Sequence, residues 1–181
     1  MKLLLENWKR YLKESIQTQV YHGSPYKFDF MSYNFDEGVG VIYNFLNKEL
    51  ARKFATTSSS DFGGINNEYG WVYSVNIEPS NIVDLTRADN LDQKGKLIKT
   101  YLLEKGIIDS EESFSRVIDC REYLCIFDIL DYNTELRDWC ISQDIYGLKM
   151  YDGLDEIGIK RIEVIVLLSI DPVIDYAVEK A

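Results

Sequence analysis

A chain of 181 residues, 46% apolar and carrying thirteen Tyr, eight Phe and three Trp, is sized for one domain with a filled core. Its formal charge of −10 opposes binding through a nucleic-acid backbone, since that affinity comes from Lys and Arg displacing counterions. No apolar run approaches the ~20 residues of a membrane helix, and Met1-Lys2-Leu3-Leu4-Leu5 is cut by Glu6 too early for a signal peptide, so a soluble, cytoplasmic protein is expected.

Residues 3–16 space Leu4, Leu5, Trp8, Tyr11, Leu12 and Ile16 at helical intervals, which predicts an amphipathic helix. Residues 18–22 read as a strand and hold His22, the one histidine, followed by Gly23 and Ser24. Residues 39–43 form a second apolar run, and Asn47 can cap a helix through Phe54 with its side-chain oxygen. Turn chemistry fills 56–70, and Trp71 to Ile77 alternate as a strand should before Pro79 and Asn81. From about 90 to 145 the pattern is helical, with a stop at Gly106, an N-cap at Ser110 and acids after it. Strands return over 146–150 and 161–168, ahead of a turn at Asp171-Pro172. Strands at both ends with helices between them predict an α+β fold in a single domain, the helical stretch being an insertion.

Cys120, Cys125 and Cys140 could, with His22, make up a four-ligand zinc set by count. Their spacing lacks the paired form such sites use, so buried, inert thiols on helix faces and no metal are expected.

Three separated pieces fall in the order of one family pattern. Tyr21-His22-Gly23-Ser24, then Val41-Ile42-Tyr43 with Phe54 eleven residues after the tyrosine, then Arg161-Ile162-Glu163-Val164 resemble the His, Tyr and Glu strands of diphtheria-toxin-like and poly(ADP-ribose) polymerase-like ADP-ribosyltransferases. The segments 146–154 and 71–77 are similar to the corresponding parts of small phage members. The resemblance implies a split β-sheet core and NAD as substrate. It also implies that His22 holds the adenosine ribose, Gly23 pairs with the nicotinamide amide beside Ser24, and Tyr43 and Phe54 close a slot around the nicotinamide. Glu163 would be the catalytic carboxylate, working with His22 and Tyr43. Breaking the nicotinamide–ribose bond builds positive charge on the ribose, which a carboxylate stabilises without a metal.

The sequence departs from the pattern in places. Ala51 stands where the polymerases carry a serine, Val41 replaces a glycine and Asn44 an aromatic. Arg161 stands where arginine-directed toxins have Glu or Gln, so arginine modification is not the favoured acceptor chemistry. The small size of the chain favours single transfer, and the resemblance implies a macromolecular acceptor, expected to be a host protein because the opening helix also resembles those of tailed-phage proteins. A virion-associated location stays open on the same ground. Three alternatives stay open as well: a binding module that keeps NAD intact, an interaction protein in which His22 is simply core, and an NAD glycohydrolase.

Overall fold

A computed structural model of the chain describes residues 17–35, 41–57, 70–119, 125–152 and 162–181. The expected helix over 3–16, most of the 56–70 loop, Cys120 and Arg161 lie outside the described residues. Seven strands form one sheet: β1 (Thr18–Ser24), β2 (Ile42–Phe45), β3 (Trp71–Ile77), β4 (Ile82–Asp84), β5 (Gly147–Asp152), β6 (Ile162–Leu167) and β7 (Val173–Lys180), in the order β4-β5-β6-β2-β1-β3-β7. Only β4 and β5 run parallel; every other neighbouring pair is antiparallel. The five described helices are α1 (Lys48–Thr57), α2 (Gln93–Glu104), α3 (Glu111–Ile118), α4 (Ile126–Tyr132) and α5 (Thr134–Ser142). The expected α+β class is the one adopted.

Local chemistry sets the helix ends. The Asn47 side chain accepts the Glu49 amide at 2.8 Å to open α1, and Ser110 Oγ accepts the Ser113 amide at 3.1 Å to open α3. Helix α2 begins where the Asp92 carboxylate accepts the Gly95 amide at 2.7 Å. It stops where Gly106 takes a φ of 65°, a left-handed conformation that favours glycine and turns the chain so that the Ile107 amide reaches the Leu102 carbonyl.

The two sheet faces build two cores. One buries Phe45, Val72, Val83, Leu148, Met150, Val164 and Val166 under α1 and under Ile98, Leu102, Phe114, Ile118, Ile126, Leu130 and Leu136 of α2 to α5. Helices α2 to α5 therefore cover the β4-β5-β6 end of the sheet. On the other face, Val20, Ile42, Tyr73, Val75, Ile165 and Leu167 pack with Phe28, Phe30, Tyr33 and Phe35 of the segment leading out of β1. The Tyr73 hydroxyl pins that segment, accepting the Phe28 amide at 2.6 Å and donating to the Phe28 carbonyl at 3.0 Å.

The sheet is narrowest between β1 and β2. Strand β1 registers with β3 over seven pairs and β2 with β6 over four, yet β1 and β2 meet at the one register pair Tyr21–Phe45. The result is a pinched seam within one continuous sheet.

One expectation is corrected. Cys140 is a buried free thiol on α5, as expected, but Cys125, at the start of α4, is disulfide-bonded. An oxidised sulfur cannot serve as a thiolate ligand, which removes Cys125 from the four-ligand zinc set. Among the described residues no cluster of His, Cys, Asp or Glu could hold a metal, and no helix is long and apolar enough to cross a membrane.

Candidate functional site at the seam between β1 and β2

Strands β6, β2 and β1 are consecutive in the sheet, so the three motifs singled out in the sequence lie on adjacent strands. His22 sits where the seam opens. Its Nδ1 lies 2.7 Å from the Tyr43 carbonyl oxygen, so the imidazole bridges two strands that have stopped pairing through their backbones. A carbonyl only accepts, so Nδ1 carries the proton and the neutral ring keeps its lone pair on Nε2. Phe28, Phe30 and Tyr73 surround the ring with centroids 5.6, 6.1 and 5.9 Å away. Burial among them pushes the His22 pKa below the usual value, outweighing the upward pull of the bond to Tyr43.

One step along from the Tyr21–Phe45 pair, His22 comes beside Asn44, which in turn registers with Ile165 of β6. Asn44 is fully buried. Its Nδ2 donates to the carbonyls of Ile42 at 2.9 Å and Ile165 at 3.2 Å, and its Oδ1 is buried without a partner among the described residues.

Glu163 is two residues before Ile165, hence on the same face as His22 and Asn44. Two strand spacings and one pleat repeat separate it from His22, about 10 Å across the sheet and about 7 Å along it. Lys149 of the neighbouring β5 places its Nζ 2.9 Å from Glu163 Oε2 and 3.6 Å from Asp84 Oδ2. The Glu163 bond is the largest influence raising the Lys149 pKa, while burial works against it. Burial pushes Asp84 up, but bonds from Thr86 and from Lys149 outweigh it and hold that carboxyl low. These groups line a hollow of about 390 Å³ with Arg87, Asn90, Asp92 and Tyr151.

The remaining expected site residues face the other way. Strand alternation turns the Tyr43 ring toward the helix-covered core, where Phe54 of α1 also packs, its ring 5.7 Å from that of Phe45. Gly23 presents its Cα to α1: a Cβ there would stand 2.0 Å from the Ala51 carbonyl oxygen. Close packing of helix on strand therefore demands glycine at this position whatever else it does. Ser24 is buried and its Oγ accepts the Tyr26 amide at 3.1 Å, closing a turn. His22 and Glu163 thus share one face, while Gly23, Tyr43 and Phe54 meet on the other, with the seam between them.

Sequence reasoning missed Lys149 and Asp84 as neighbours of Glu163. The trace was legible in part, since Lys149 is a lone charge between Leu148 and Met150 in a buried strand. Asp84 carried no such signal, because the parallel pairing of β4 with β5 joins segments more than sixty residues apart.

No protein-family model matches the chain, and no curated protein matches it. Among solved structures, one described as the crystal structure of an anti-CRISPR protein is similar with a TM-score of 0.48 and 14% identity, over 92% of this chain and 97% of that one.

Proposed function

We propose that the chain is an NAD-dependent mono-ADP-ribosyltransferase that cleaves the nicotinamide–ribose bond and passes ADP-ribose to a protein acceptor. The observation that supports this reading is the adjacency of β6, β2 and β1, which sets the strands carrying Glu163, Tyr43 and His22 side by side from distant parts of the chain. In this reading nicotinamide meets the Gly23 backbone, with Tyr43 and Phe54 on the helix side. His22 Nε2, an acceptor by its tautomer, takes a ribose hydroxyl. The Glu163 carboxylate then opposes the positive charge that grows on the ribose as nicotinamide leaves.

A second reading has observations of its own. His22 is bonded and ringed by aromatics, and Gly23 is required by α1, which is how a purely structural seam would look. Under that reading the protein is an interaction module without NAD chemistry. Incubation with NAD and a bacterial lysate separates the two. Mass spectrometry that finds ADP-ribosyl groups on an acceptor supports transfer; free ADP-ribose without a modified protein indicates hydrolysis; intact NAD and no thermal shift leave the interaction module.

A further inference from the structure

We infer that Lys149 is a positioning residue for Glu163, holding one carboxylate oxygen so that the other is presented to the ribose. This rests on the transferase reading above. The two residues sit on neighbouring strands, where Tyr151 registers with Glu163 and Lys149 with Ile165, so Lys149 reaches its partner diagonally across the sheet face. Its Nζ takes Oε2 at 2.9 Å, and Asp84 Oδ2 steadies the same ammonium at 3.6 Å from the far side. Both members of the pair are partly open to water, with side-chain exposures of 28% and 39%. A pair this accessible adds little to folding, so its geometry is free to serve the chemistry. Oε2 is occupied by Lys149, which leaves Oε1 for a substrate hydroxyl. Among the described residues, the charged and titratable groups around Glu163 in the hollow are Lys149 and Tyr151 from β5, Asp84 from β4, and Arg87 and Asp92 beyond it. Of these, Lys149 is the cation in contact with the carboxylate.

The test compares full-length wild type, Lys149→Met and Lys149→Arg for nicotinamide release from NAD, with melting temperature followed in parallel. Positioning predicts that Lys149→Met lowers kcat about 10- to 100-fold, the scale of a slightly misplaced reacting group. It also predicts a KM for NAD close to wild type and substantial rescue by Lys149→Arg. A Lys149→Met protein with wild-type kcat overturns the inference and leaves the transferase reading standing. Loss of activity that tracks a lowered melting temperature and is not rescued by arginine also overturns it, as a structural role. A wild type that neither binds nor consumes NAD overturns both.

Discussion

His22 serves the fold and the proposed chemistry through different nitrogens. Nδ1 closes the seam on the Tyr43 carbonyl, while Nε2 keeps its lone pair for a hydroxyl donor. Burial lowers its pKa from 6.5, so in the folded state the ring resists protonation. The unfolded chain therefore binds more protons once pH drops toward and below 6.5, and folding free energy is lost over that interval until the lower folded pKa is passed; above 6.5 the contribution is fully present. Denaturant melts between pH 5 and 7 are expected to show this loss, and His22→Gln is expected to flatten it, because His22 is the one histidine and ordinary carboxylates titrate lower. Equal slopes in the two proteins would contradict the buried neutral ring. Gly23→Ala is a second test at this scale. A methyl placed 2.0 Å from the Ala51 carbonyl forces α1 off the sheet, and the cost expected is upward of about 2 kcal/mol. In a domain of this size that lowers the melting temperature by about 4–8 °C. Glycine's use at this position was legible in the sequence only as room for a ligand. The neighbour that needs the room is a helix thirty residues on, which no local pattern reveals.

Elements whose signals are local were readable, and those defined by their neighbours were not. Strand β3 was expected over the seven residues it occupies, and the caps of α1 and α3 came from single side chains whose bonds follow from spacing. Ser110→Ala, which leaves the Ser113 amide without its acceptor, is expected to cost about 1 kcal/mol, or about 2–4 °C in thermal melts. A melting temperature unchanged from wild type would mean that the cap is replaced by water. Strands β4 and β7 were missed for a shared reason. β4 is three residues held by parallel pairing to a distant partner. β7 is an edge strand, with Asp175, Glu179 and Lys180 among its eight residues, that looks like a polar tail until β3 pairs with it. Charge on an edge is what discourages pairing with other chains, so the pattern that protects the sheet also hides it. Glu179 fastens that edge to α1 through Lys48 and Arg52, both at 2.9 Å.

At the scale of the molecule, composition anticipated one apolar, aromatic-rich core system but not its division. The two faces of one sheet carry separate cores, one under helices and one under a short aromatic segment, and the proposed site lies at the seam between β1 and β2. The cysteines divide in the same way, between an oxidised Cys125 and a Cys140 whose thiol burial pushes up to about 12. A thiol held so far from its thiolate does not react, so alkylation of native protein is expected to spare Cys140 and to reach it only on unfolding. Rapid labelling of Cys140 in folded protein would show that α5 opens readily. The site itself was half legible. The resemblance to the transferase pattern singled out His22, Tyr43 and Glu163, and the sheet makes their strands neighbours. That Tyr43 turns its ring to one face and Glu163 its carboxylate to the other depends on β-strand alternation counted from a register that only the folded sheet defines. The measurement that bears most directly on the proposal is nicotinamide release from NAD by wild type and Glu163→Gln, with NAD affinity determined on the same samples. Release slowed about 10²–10⁴-fold at near-equal affinity is the predicted result; equal rates in the two proteins, or no release by wild type, would contradict it.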